Sequence, residues 1–168
     1  MKRAVTTMTS DSKSREMLRH TVATLAYRGG KAVANVPQGF TAFRAAETSR
    51  TPGEILAHIG DLLDWALRVA KGEYDYKECA PQSWEEDVAR FFGALKEFDS
   101  YLASDAPLGC AAEKIFQGPI ADALTHVGQI AMLRRMAGAP IRGENYFKAE
   151  IVVGRVGKDQ AAKRIEFD

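Results

Sequence analysis

Two histidines and one aspartate have the residue types and the spacing of a metal site. Asp122 and His126 are four residues apart, so on a helix their side chains project from the same face, one turn apart. On a helical wheel, His58 falls between Leu62 and Trp65, inside the apolar arc of its own predicted helix. Two ligands at this spacing can reach one ion, and a third from a facing helix completes three corners of its coordination shell. The pattern therefore makes His58, Asp122 and His126 candidate ligands of one divalent ion.

Each of these residues also has an explanation that involves no metal. A single inward-facing histidine is commonly a hydrogen-bonded core residue, and His58 taken alone fits that description. Asp122 falls in the first turn of its predicted helix, where the helix dipole favours an acid whatever its function. The spacing alone leaves both explanations open.

Other polar and aromatic residues are predicted around this candidate site. Asp61 lies about one turn after His58, at the edge of the apolar arc, and is either a hydrogen-bond partner of the imidazole or solvated. Gln129 continues the ligand face of the last helix, and Trp65 is placed to line a pocket. His20 falls away from the apolar stripe of the first helix, so we expect a surface or subunit-contact residue there rather than a ligand.

Four helices are expected to position these side chains. They are predicted over 14–36, 51–72, 83–102 and 118–136. The second and third helices are each introduced by a capping box, Thr51-Pro52-Gly53-Glu54 and Ser83-Trp84-Glu85-Glu86. Residues 1–13 resemble a loose leader, and the tail, 141–168, has no assignable structure. With no convincing hairpin, the sequence predicts a single all-α domain, a four-helix bundle spanning 1–168.

The composition is that of an ordinary globular domain. The chain has 168 residues, of which 46% are hydrophobic and 27% charged, with a formal charge of +1. Because Lys and Arg are dispersed, a nucleic-acid partner is not expected. No apolar run approaches the length of a membrane helix and the N-terminus lacks a signal-peptide core, so we expect no membrane association and a cytoplasmic protein. Cys79 and Cys110 fall in predicted loops without metal-site spacing and are expected to be free thiols.

Three segments resemble the DinB-like superfamily of metalloenzymes. They are LRHTVATLAYRGGKA in the first helix, TPGEILAHIGDLLDWALRVAKGE in the second and FQGPIADALTHVGQIAMLRRMAGAP in the fourth. The resemblance implies a four-helix bundle with a variant of up-and-down connectivity. It also implies one metal histidine early in the second helix, which matches His58, and a His-x-x-x-His pair in the last helix. His126 matches the second member of that pair, whereas Asp122 replaces the first.

Two histidines and one carboxylate are a recognised ligand set for zinc and for non-haem iron. Zn, Ni, Fe and Mn are not distinguished by the sequence. Three protein ligands leave at least one coordination position for water or a small-molecule substrate, which is the layout of a catalytic site.

The resemblance implies thiol S-transfer as the leading chemistry, with a low-molecular-weight thiol held at the metal as thiolate. A metal-dependent hydrolase is second, and Asp61 is its candidate general base. The alternative is a non-catalytic dimeric bundle whose metal site has degenerated at Asp122.

Two further expectations concern regions outside the candidate site. Because relatives commonly pair, a homodimer is expected to use an edge of the first helix. That edge comprises Met17, Thr24 and Tyr27. The RGENYF segment, with Arg142, Glu144, Asn145 and Tyr146, is either the lip of a pocket or a surface turn that packs the tail against the bundle.

Overall fold

A computed structural model describes residues 10–160 and 163–167 and is built from four helices. The first three are α1 (Ser10–Val33), α2 (Pro52–Ala70) and α3 (Trp84–Ala103). The fourth, α4, consists of three consecutive segments: Ala112–Ile115, the π-helical Phe116–Ile120 and Ala121–Met136. A single 3₁₀ turn, Phe40–Ala42, lies in the α1–α2 connection. The described residues contain no strand, so the predicted all-α four-helix bundle is confirmed.

The helix order around the bundle differs from a simple up-and-down arrangement. Both α1 and α2 pack against α3 and α4, so the two consecutive helices α1 and α2 lie diagonally across the core. The connectivity is therefore a variant of up-and-down, and the sequence did not indicate which helices would lie on the diagonal. This connectivity places α2 directly beside α4, and these are the helices that carry the candidate ligands.

Helix starts are predicted well where a capping box is present. Thr51 and Ser83 each accept a hydrogen bond from the backbone N–H three residues on, and the glutamate there returns one to the cap backbone. Both α2 and α3 therefore begin where the sequence indicated.

The bounds predicted for α1 were wrong at both ends. It begins at Ser10, four residues early, and Asp11 in its first turn pairs with Arg15 across one turn. It ends at Val33 because Asn35 adopts a left-handed backbone with φ of 50°. Of the predicted leader, 10–13 are helical, and 1–9 lie outside the described residues.

The predicted start of α4 was also wrong. The helix begins at Ala112 and passes through Pro119 by way of the widened π turn, although proline was expected to open the helix. A proline inside a helix has no N–H for the preceding turn and its ring crowds the carbonyl there, so a wider turn accommodates it. Asp122 consequently lies well inside a continuous helix, and the helix dipole no longer accounts for it. One face of α4 is exposed to solvent and includes Gln129 and Met132.

The tail packs along α1 through a buried carboxylate. Glu144 is only 6% exposed and accepts hydrogen bonds from the Tyr27 hydroxyl and, at 3.1 Å, from Lys31 Nζ. Arg164 lies 3.5 Å from the same carboxylate and stacks over the Tyr27 ring. The RGENYF segment therefore packs the tail against the bundle.

The edge of α1 expected to mediate dimerisation is only partly available. Tyr27 was predicted to lie on this exposed edge, but it is fully buried beneath the tail. Thr24 is half-buried. Met17 is 62% exposed. The prediction for Tyr27 failed because the helical wheel contains no information about a tail with no periodicity.

Replacing Glu144 with Gln should destabilise the fold in a pH-dependent manner. Burial opposes ionisation of Glu144, but hydrogen bonds from Tyr27 and Lys31 outweigh it and lower the pKa of the carboxyl. A carboxylate with a lowered pKa stabilises the fold above its unfolded-state pKa, and that contribution is lost as pH falls through the folded-state value. At pH 7, Glu144→Gln should therefore lower the free energy of unfolding by about 1–3 kcal/mol.

Urea unfolding at pH 7 and at pH 4 measures this effect. The difference between wild type and Glu144→Gln should shrink at the lower pH. Glu150→Gln, in the same tail but exposed, is the control and should change stability little. Equal stabilities for wild type and Glu144→Gln at pH 7 would contradict the assignment.

Candidate metal centre

The three candidate ligands come from adjacent helices. His58 lies in the second turn of α2, whereas Asp122 and His126 lie one turn apart on the last segment of α4. The π turn ends at Ile120, just before Asp122. Since α2 and α4 pack side by side, the diagonal arrangement of the bundle brings the three side chains together.

The donor atoms lie close enough for one ion. His126 Nε2 is 3.3 Å from Asp122 Oδ1, and His58 Nε2 is 3.9 Å from Asp122 Oδ2. The imidazole rings are 4.7 Å apart between centroids and nearly perpendicular, and the three donor atoms all lie within 4.8 Å of one another. Ligand atoms of a tetrahedral zinc ion are roughly 3.4 Å apart, given bond lengths near 2.1 Å. The residues therefore fit a divalent ion after small side-chain adjustments, and the cluster could hold one.

Both imidazoles use their Nδ1 atoms for contacts outside the cluster. His126 Nδ1 is 2.8 Å from Gln129 Oε1, and His58 Nδ1 is 3.0 Å from the Tyr76 hydroxyl. A carbonyl oxygen only accepts, so Nδ1 of His126 must be the donor and its Nε2 carries the lone pair. Such contacts orient metal-binding histidines and fix their tautomer. The Nε2 atoms are thus the ones presented to Asp122.

The electrostatics around His58 favour the neutral imidazole that a metal requires. Burial is the main cause that lowers the pKa of His58, with further contributions from His126 and Arg50. Asp122 and Asp61 oppose this effect without reversing it. Because a protonated histidine cannot bind an ion, the lowered pKa keeps His58 available as a ligand at neutral pH.

Two clefts flank the histidines and leave the cluster open to solvent. The side chain of Asp122 is 49% exposed, against 20% for His58 and 12% for His126. A polar cleft of about 370 Å³ adjoins His58, and a more apolar cleft of about 430 Å³ adjoins His126. Arg50 lines both clefts, and none of the described residues forms an ion pair with it. A small molecule can therefore approach the cluster beside an available positive charge.

The predicted neighbours have different roles in the structure. Gln129 contacts His126, as described above. Asp61 does not contact His58, since its buried carboxylate bonds to Arg90 at 2.7 Å and accepts from the Cys79 N–H at 3.3 Å. Both alternatives given for Asp61, a hydrogen-bond partner of His58 or a solvated acid, were therefore wrong, because the carboxylate is buried against Arg90. Tyr76 is the hydrogen-bond partner of His58 instead.

Trp65 contributes to the site indirectly. Its ring packs edge-on against Tyr76, with centroids 5.8 Å apart, and its Nε1 donates to the Tyr74 carbonyl. Trp65 thereby fixes the residue that orients His58. His20 is exposed on α1. The two cysteines, Cys79 and Cys110, are free.

Sequence patterns missed Tyr76 and Arg50. Tyr76 lies in the irregular connection between α2 and α3, and Arg50 lies in the connection that precedes the capping box of α2. Helical spacing does not apply to either segment. Arg50 lies just before α2 and Tyr76 lies a few residues after it. This nearness in sequence to the helix that carries His58 is the signal that could have suggested them.

Comparison of the chain with protein families, with curated proteins and with solved structures finds no match. The helices of the described residues include none that is both long and apolar enough to cross a membrane. What the chain presents at this centre is a His–Asp–His cluster open on one side.

Changing any ligand should reduce metal affinity while the fold survives. Asp122 is exposed and lies mid-helix, so Asp122→Ala should cost little stability but weaken binding of Zn²⁺ or Co²⁺ by a large factor. Asp122→His should retain binding, with a preference shifted toward softer ions. Metal titration of both variants beside His58→Ala and His126→Ala checks this. Unchanged stoichiometry in Asp122→Ala, with loss in both histidine variants, would place the third ligand elsewhere.

Gln129→Leu should weaken the site without removing a ligand. The change deletes the acceptor that orients His126, and loss of such a contact typically lowers metal affinity about 10-fold to 100-fold. Gln117→Leu is the matched control, because Gln117 is an exposed glutamine on the same helix away from the cluster. Equal Co²⁺ affinity in both variants would show that the Gln129 contact does not orient His126.

Proposed function

We propose that this protein is a DinB-like, metal-dependent enzyme that acts on small molecules, with one divalent ion bound by His58, Asp122 and His126. The observation that carries the proposal is the convergence of the three donors from two helices, with both Nδ1 atoms engaged elsewhere. The diagonal placement of α1 and α2 supports the proposal, because the resemblance implied a variant of up-and-down connectivity. Two histidines and one carboxylate form a ligand set compatible with Zn, Ni, Fe or Mn.

Thiol S-transfer is the reaction that we assign. An ion bound at this site would supply Lewis acidity, lowering the pKa of a thiol that approaches from the open side. In the transfer, the thiol sulfur forms a bond to an electrophilic carbon while the bond from that carbon to a leaving group such as chloride breaks. The leaving group departs with the electron pair, and the thiol proton passes to solvent.

The two clefts favour a reaction with two substrates. In the polar cleft beside His58, Arg44 pairs with Glu54, whereas Arg50 has no ion pair with a described residue and suits a carboxylate of a low-molecular-weight thiol. The cleft beside His126 includes Ile55, Met132 and Leu133, which suit an apolar electrophile. Hydrolysis needs only one substrate besides water, so two unlike clefts on either side of the cluster support group transfer.

The hydrolytic alternative loses its candidate base. Asp61 is 2% exposed and its carboxylate is engaged by Arg90 and the Cys79 N–H. Tyr76 is a poor substitute, since burial raises the pKa of its hydroxyl. A thiol reaction needs no such base, because a thiol deprotonates far more readily than water.

Consumption of thiol by the metal-reconstituted protein tests the function. With a low-molecular-weight thiol panel and a chlorinated aromatic acceptor, wild type should consume thiol and release chloride in a metal-dependent manner, and His126→Ala should not. Arg50→Gln should raise KM for carboxylate-bearing thiols while metal content is unchanged. Arg135→Gln, an exposed arginine on α4 away from both clefts, is the control.

Two outcomes would contradict the proposal in different ways. Stoichiometric metal without thiol consumption would rule out the transferase chemistry and leave the metal site in place. Substoichiometric metal in protein purified from several media without a chelating tag would favour the non-catalytic bundle with a degenerate site.

A further inference from the structure

A third cleft lies where the C-terminal tail crosses the ends of α1, α3 and α4. Its volume is about 700 Å³, within the range of small-molecule sites in proteins. Its described lining residues include none that line the two clefts beside the histidines. Arg134 in its wall is two turns beyond His126 on α4, which corresponds to roughly 12 Å along the helix. The cleft is therefore a separate feature of the bundle.

The floor of this cleft is apolar and partly aromatic. Trp84, Val88 and Phe92 of α3 lie on one side, and Val33 lies on another. The indole Nε1 of Trp84 donates to the Val33 carbonyl at 3.2 Å, so the polar atom of the ring is already satisfied. A ligand that rests on this floor meets carbon atoms, and burial of its apolar surface would favour binding.

The rim is positively charged. The described cations that line the cleft are Lys31, Arg134, Arg142, Lys158 and Arg164, against the acids Glu85 and Glu166. Arg134 is buried and has no acidic partner among the described residues, since its guanidinium donates to backbone carbonyls at the end of α1 and after α4. The cations outnumber the acids, so the cleft carries a surplus of positive charge.

The cations Lys158 and Arg164 differ in the partners that they already have. Lys158 forms no ion pair with any described residue. Nη1 of Arg164 is buried and lies 3.5 Å from Glu144 Oε2, yet it makes no hydrogen bond within the described chain. Arg164 is thus already engaged by a carboxylate, whereas the exposed Lys158 is available to pair with an anionic group in the cleft.

We propose that this cleft binds a small aromatic carboxylate or sulfonate. The ring would rest against Trp84 and Phe92, and the anionic group would lie toward Arg142 and Lys158. Because the tail supplies Arg142, Lys158 and Arg164, binding would also hold the tail against the bundle. The site is independent of the metal centre and of the reaction assigned to it.

Fluorescence titration with 8-anilino-1-naphthalenesulfonate tests the proposal on the full chain. The neutral analogue N-phenyl-1-naphthylamine has the same rings without the sulfonate. The double variant Arg142→Gln/Lys158→Gln should weaken the sulfonate about tenfold, because it removes two cations that attract the anionic group, and should leave the neutral probe within about twofold. Val88→Trp, which narrows the cleft, should weaken both probes.

Control variants separate this cleft from other surfaces. Arg135→Gln removes an exposed cation outside the cleft and should leave both affinities unchanged. Met17→Ser changes the exposed apolar groove between α1 and α4, the most plausible competing site for such a probe, and should also have no effect. Benzoate should displace the sulfonate from wild type. Unchanged sulfonate affinity in the double variant, or loss of binding in Met17→Ser, would overturn the proposal.

Discussion

The contact between α2 and α4 is the constraint on which the candidate metal centre depends. Neither helix supplies three ligands, so the cluster exists only because α1 and α2 lie on a diagonal and leave α2 beside α4. Arg90 of α3 also helps to position α2: it donates to the Ala57 carbonyl and bridges Asp61 and Asp64. Its guanidinium lies where a side chain at Gly60 would clash, at 2.9 Å from a Cβ there. Asp61 and Asp64, which lie one and two turns beyond His58, therefore have a structural role in packing α2 against α3.

The π turn allows α4 to begin well before Asp122, and this changes the explanation for an acid at that position. A helix that opened at Pro119 would have given Asp122 a role at the helix terminus. Because the chain is helical from Ala112, the dipole effect, which is confined to the first turn, does not reach Asp122. Its exposed carboxylate instead has His58 and His126 as its charged or polar neighbours, and this makes metal binding the better explanation of an acid at that position.

Features with local physical causes could be predicted from the sequence, whereas features set by irregular segments could not. Capping boxes located the starts of α2 and α3, and helical spacing placed His58, Asp122 and His126 on facing surfaces. Tyr76 and Arg50 were missed because connections have no period. Tyr27 was misplaced for the same reason, since the tail that buries it has no repeating pattern. The partner of Asp61 depended on α3, and no pattern within α2 could reveal it.

Charged side chains that stabilise the fold and charged side chains at the candidate metal centre have different surroundings in this bundle. Buried charges that fix the fold are surrounded by partners: Arg134 by carbonyls, Asp61 by Arg90, and Glu144 by Tyr27 and Lys31. Such satisfaction is necessary, because an isolated buried charge would be expensive. Around the histidines the pattern differs, since Arg50 has no ion pair in the described chain and the Asp122 carboxylate is half exposed beside the imidazoles of His58 and His126. Arg50 and Asp122 are therefore the charged groups near the surface that an anionic molecule and a metal ion, respectively, would stabilise most.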